Sequence, residues 1–146
     1  MPYILDPSQR FPRLLQRTAH AWRLAIGRRL KDSGLGMNSW LAIATLASES
    51  EPMTQKALAQ VLGLEEASMV PLIDRLVTQR LIERLQPEED RRKRLLIVTA
   101  EGWAVFENVK VEADRLRAEL LADINSDELA VAQRVLQQLL DKTGSL

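Results

Sequence analysis

The stretch TQKALAQVLGLEEASMVPLIDRLVTQRLIERLQPEEDRRKRLLIVT, residues 54–99, decides how the chain folds. Thr54 is placed to cap a helix, because its hydroxyl accepts from one of the amide groups left free where a helix opens. Gly63 ends that helix, since glycine enters left-handed geometry without a Cβ penalty. A second helix is expected over residues 65–80, with Ala67, Val70, Ile73, Asp74 and Val77 recurring at three- and four-residue steps. Ala59, Gly63, Met69 and Leu72 have the spacing of a helix-turn-helix: a small residue, a turn glycine, then apolar residues that seat the second helix on the first. The alternation Ile82-Glu83-Arg84-Leu85-Gln86 predicts a half-buried strand, and Leu95-Leu96-Ile97-Val98 its partner. Between them PEEDRRKR has nothing to bury and must project into solvent. Two helices joined by a tight turn and followed by a charged hairpin make a winged helix-turn-helix, a shape suited to holding duplex DNA.

Outward from this stretch the chain is helical. After a lead-in punctuated by Pro2, Pro7 and Pro12, an amphipathic helix is predicted over residues 9–33. Phe11, Leu14, Leu15, Thr18, Trp22, Ala25, Ile26 and Leu30 form its stripe. Asn38 can cap the next helix, whose Trp40, Leu41, Ile43, Ala44, Leu46 and Ala47 imply burial on nearly every side. SESEPM then connects to Thr54. Beyond the hairpin, Thr99 opens a long helix with Glu101 in its first turn, where the helix dipole favours a carboxylate. Trp103, Phe106, Val109, Ala113, Leu116, Leu120 and Leu121 carry its apolar stripe. Asn125 and Glu128 have capping-box spacing before a last helix faced by Leu129, Ala132, Leu136, Leu139 and Leu140.

The expected fold class is therefore mainly α with a small β-hairpin wing (α+β). One domain spans residues 1–146, with a winged helix-turn-helix over 37–98 between long helices at 9–33 and 99–142. So small a module cannot cover the stripes of the outer helices, and a second copy related by a two-fold axis would. A homodimer is expected.

Composition removes several classes of function. The chain has no cysteine and one histidine, His20, so disulfides, thiolate metal sites and cysteine redox sensing are out. There is no glycine-rich phosphate loop and no metal-ligand spacing, and neither Glu49 and Glu51 nor Glu88, Glu89 and Asp90 has an apolar pocket implied around it. His20 lies off the apolar stripe of its helix. No catalysis and no cofactor are expected. No apolar run reaches membrane-spanning length and no secretion signal opens the chain, so a cytoplasmic location is expected. Formal net charge is zero, yet residues 1–31 hold seven basic residues against one acid, and residues 99–146 hold five basic against nine acidic. A neutral total can hide a basic face and an acidic one.

The stretches LAQVLGLEEASMVPLIDRLVTQRLIER (58–84) and EDRRKRLLIVTAEG (89–102) resemble the MarR family of bacterial transcription regulators, and within it the SlyA-like branch. The similarity extends over nearly the whole chain, and Asp90-Arg91-Arg92 leading through a strand into Thr99-Ala100-Glu101-Gly102 is its most specific part. The resemblance implies a dimer paired through the N- and C-terminal helices, acting on DNA as repressor or activator. It also implies control by a small aromatic or phenolic acid bound between the dimer helices and the winged helix. By resemblance Asp90 orients a wing arginine and Arg92 enters the minor groove, where negative potential attracts a guanidinium.

The residues themselves carry a matching DNA-binding set. Glu65, Glu66, Ala67, Ser68 and Met69 open the second helix and are the side chains expected to face base edges. Ser68 is the one able to donate, whereas Glu65 and Glu66 can accept only from cytosine amino groups. Arg91, Arg92, Lys93 and Arg94 sit at or beside the hairpin tip, with Asp90. Gln55, Lys56, Arg75 and Arg84 are candidate phosphate contacts, which position without specifying sequence. Arg75 is expected to pair with Asp74, and Asp74 to brace the wing or the helix end. Two positions depart from the family pattern. Pro71 stands where it usually has a base-contacting arginine, and is expected to bend the helix or open a hydrogen bond. Arg80 stands where its turn has glycine, so a strained left-handed residue is expected. Trp22 and Trp40, with the arginines of the first helix, are candidates for the ligand site; core packing is the simpler account of both. The alternative to a DNA regulator is a winged-helix dimer that binds other proteins, favoured by Glu65, Glu66, Pro71 and the zero net charge.

Overall fold

A computed structural model describes residues 1–146. Helix α1 (Pro7–Arg29) starts two residues before the predicted boundary, because Asp6 caps it. The Asp6 carboxylate accepts from Gln9 N at 3.0 Å, and the Gln9 side chain accepts from Asp6 N at 2.9 Å. Pro7 and Pro12 lie inside this helix rather than before it. Pro7 suits the first turn, where no amide partner is needed. The Ser8 hydroxyl, and then the Gln9 amide, hold the Asp6 carboxyl below its ordinary pKa. The cap is therefore present at neutral pH and is lost as acid protonates it. The helix stops at Arg29, short of the expected residue 33. A 3₁₀ turn (Lys31–Ser33) follows, and Gly34 leaves it at φ 76°.

Helix α2 (Met37–Ser48) is capped by Gly36, and Asn38, expected as the cap, falls within its first turn. SESEPM, expected as a loop, ends in a short strand. β1 (Met53–Thr54) pairs antiparallel with β3 (Leu95–Val98), Met53 opposite Leu96 and Thr54 opposite Leu95. β2 (Ile82–Leu85) pairs on the other side of β3, giving the order β1-β3-β2. β3 is thus the central strand and Leu96 is buried. The alternation expected of β2 is absent: only Ile82 is buried, and the strand runs outward into the wing as an edge.

Helix α3 (Gln55–Leu62) is capped by Thr54, whose Oγ1 accepts from Ala57 N at 3.1 Å, and it ends at Gly63 with φ 69°. Helix α4 (Glu66–Thr78) runs on past Pro71 without a break. Its buried face is Met69, Leu72, Ile73 and Leu76. These four recur at i, i+3, i+4 and i+7, and they bury more apolar surface than Ala67 and Val70 would. Ala67 and Val70, expected on the inward stripe, therefore face solvent. The α4 face packs with Ile43 and Leu46 of α2, Leu58 and Leu62 of α3, and Ile82 and Leu96 of the sheet.

Helix α5 (Ala100–Leu121) is fastened to the base of the wing. Thr99 Oγ1 accepts from Gly102 N at 2.9 Å and donates to Arg80 O at 2.6 Å, while Thr99 N donates to Leu81 O at 3.1 Å. Arg80 holds φ 61°, the left-handed geometry expected where its turn lacks glycine. A Cβ at Gly102 would lie 2.1 Å from Leu81 O and 2.8 Å from Val98 Cγ1. Backbone and core strand cannot both yield, so Gly102→Ala is expected to cost about 1–3 kcal/mol of stability, measurable by urea unfolding.

By internal contacts the chain forms two units, Met1–Asp114 and Arg115–Leu146. In the first, a small cluster of Leu30, Trp40 and Val109 supplements the main core, with Phe106 edge-on to Trp40 at 5.4 Å. In the second, Asn125 caps helix α6 (Ser126–Gly144), accepting from Asp127 N at 2.8 Å and Glu128 N at 3.2 Å. Not one residue of α1 or of α6 is buried. Phe11, Leu14, Leu15 and Leu24 stand exposed on α1, and Val131, Val135, Leu136, Leu139 and Leu140 on α6. No helix is long and apolar enough to cross a membrane.

Candidate nucleic-acid interface

The wing is built around Asp90. Its backbone N donates to Pro87 O at 3.3 Å and its carbonyl accepts from Lys93 N at 3.1 Å, so two tight turns close the tip. Its carboxylate accepts from Arg92 N at 3.0 Å, and the Gln86 side chain donates to Arg91 O. Arg91, Arg92, Lys93 and Arg94 are all exposed on the loop so formed. Arg92 approaches Asp90 at 3.5 Å, yet its side chain is 95% exposed. An ion pair that open is worth at most about 1 kcal/mol. A phosphate-lined groove can displace it.

Arg84 and Asp74 meet differently from the expectation. Asp74 does not pair with Arg75, since neighbours in a helix point apart. It pairs with Arg84 of β2, joining α4 to the wing stem. Arg84 is thereby engaged, while Arg75 remains exposed on α4. Arg75 borders a groove of about 490 Å³ with Ser68, Pro71 and the first turn of α2.

At the start of α4, Glu65, Glu66, Ala67 and Ser68 are exposed, whereas Met69 is fully buried and cannot meet a base edge. Val70 takes its place on the outer face. It is 47% exposed. Lys56 is exposed and Gln55 half-buried in the first turn of α3. Of the two candidate ligand residues, Trp40 is buried and its indole N–H finds no acceptor. Trp22 is half-buried on α1 and is not part of the Trp40 cluster.

Helices α3 and α4 with their glycine turn, backed by α2 and followed by a hairpin, define a winged helix-turn-helix protein. Residues 36–93 match the MarR family. The crystal structure of transcriptional regulator PA3341 superposes with a TM-score of 0.87 at 33% identity, covering 93% of this chain and 99% of that one. The chain belongs to the MarR family of transcriptional regulators. A MarR/EmrR family transcriptional regulator from Acinetobacter sp. ADP1 shares the fold at 21% identity and TM-score 0.85, over 97% of this chain and 100% of its own. CouR from Rhodococcus jostii RHA1, solved bound to p-coumaroyl-CoA, shares it at 24% identity and TM-score 0.80, over 93% and 95%.

Proposed function

We propose that this protein is a SlyA-like, DNA-binding regulator that grips a pseudo-palindromic site as a homodimer in the cytoplasm. The observation that carries the reading is the wing: four successive cations, Arg91 to Arg94, held in solvent by turns closed through Asp90. Each α4 enters a major groove, the two about 34 Å apart, and each wing enters a flanking minor groove. Ser68 and Arg75 approach from α4, and Gln55 and Lys56 touch phosphate. Arg84 acts by fixing the wing to α4 through Asp74. The exposed apolar rows of α1 and α6 support pairing with a second copy, for which residues 9–33 and 99–142 supply the contacts.

A small aromatic acid releases the DNA in this reading. The unpartnered indole N–H of Trp40 beside the Phe106 ring supports it, because a buried donor gains by meeting a carboxylate or hydroxyl. A protein-binding role is favoured by one observation, the exposed carboxylates of Glu65 and Glu66 at the head of α4. Mobility-shift titration against genomic fragments at several salt concentrations separates the two. Affinity that falls steeply with salt is expected for the regulator, and absent or salt-independent affinity for the protein-binding module.

A further inference from the structure

The outer face of α4 offers bases an unusual chemistry. Ala67, Val70 and Pro71 are exposed at steps of three and four, so they form one apolar strip along the helix. No cation accompanies it in the first two turns of α4; Arg75 comes one turn later, and Glu65 and Glu66 precede it. Guanine offers the major groove two acceptors, which this strip cannot satisfy. The single apolar group any natural base pair presents there is the C5 methyl of thymine.

We infer that Val70 and Pro71 read thymine methyl groups, so that this regulator prefers thymine over guanine where α4 faces the bases. The inference rests on the DNA-binding reading above. The cationic wings complement phosphate, and that charge match selects duplex DNA as the occupant of the apolar strip. Pro71 suits the role because its ring is apolar and rigid, and the helix runs on past it despite the amide it lacks. Glu65 and Glu66 repel phosphate and accept only from exocyclic amino groups, which penalises a guanine edge, acceptor-only in the major groove, at their positions.

The test uses the full-length protein and duplexes that it selects from a random-sequence pool. Each selected duplex is resynthesised with deoxyuridine in place of thymidine, which removes the methyl and keeps the hydrogen-bonding edge. Affinity is expected to fall about four-fold for each contacted methyl, the effect of burying one methyl-sized group. In Val70→Ala, whose unfolding midpoint should match the parent because the side chain is exposed, the difference between the duplexes should shrink towards none. Salt-sensitive binding that ignores the uracil substitution overturns the inference and leaves the DNA reading standing. A methyl effect undiminished in Val70→Ala also overturns it, because the methyl then acts through DNA stiffness. A pool that yields no salt-sensitive binder overturns both readings.

Discussion

Arg92→Ala is expected to weaken DNA binding by about ten- to a hundred-fold for each wing, and a homodimer loses two wings at once. The side chain is 95% exposed and makes one loose approach to Asp90, so its removal leaves the fold intact. On the proposed reading, what disappears is a guanidinium drawn to the negative potential of a narrow minor groove. The salt slope should flatten by about one unit for each phosphate that is no longer neutralised. Glu65→Ala is the control. It removes a carboxylate from the head of α4, and should leave affinity equal or raise it slightly. Comparable small losses from both variants in an anisotropy titration would mean that the wing does not grip DNA.

Leu136→Glu is expected to separate the two copies. The α6 row of Val131, Val135, Leu136, Leu139 and Leu140 is exposed within its own unit, so within one chain the substitution costs little. Against a second copy it buries an unpaired carboxylate, which costs several kilocalories per mole, about 3–5 on each side of a two-fold interface. The dimer constant should therefore fall by more than about a hundred-fold, read by sedimentation equilibrium. DNA affinity should fall with it, because one winged helix holds only half the site. A variant that remains dimeric at low micromolar concentration would place the interface elsewhere.

The central fold could be read from residues 54–99 because each boundary there has a local cause. Thr54 caps, Gly63 terminates in left-handed geometry, and the polar loop cannot enter a core. Four features escaped for equally physical reasons. The strand at Met53 and Thr54 has two residues, too few for any periodicity to show, and exists only because β3 offers a free edge. The start of α1 is hidden because Asp6 and Gln9 form their capping box among prolines that resemble a loop. The rotation of α4 is ambiguous in the sequence because two overlapping three-four patterns occur in one stretch. Met69-Leu72-Ile73-Leu76 outcompetes Ala67-Val70-Ile73-Val77 on buried area, and that competition is settled only by the helices packed against it. The same rotation moves Met69 into the core and Val70 onto the outer face. The partner of Asp74 was also out of reach, since Arg84 arrives beside it only when β2 folds back against α4.

The wing cations were legible as a run and needed the structure only to show that their charged side chains stay outside. The turns around Asp90 supply that. Pro71 leaves α4 continuous. The proline has no amide to donate back along the helix, so one hydrogen bond is open there, and the buried Met69, Leu72 and Ile73 hold both sides of it.

The slope of log affinity against log salt for the wild-type protein, measured on DNA it selects and with bound copies counted per duplex, bears most directly on all of this. Two copies and a slope of about −5 or steeper are expected, the signature of several phosphates neutralised by paired wings and helices. One copy per duplex, or a slope near zero, would contradict it.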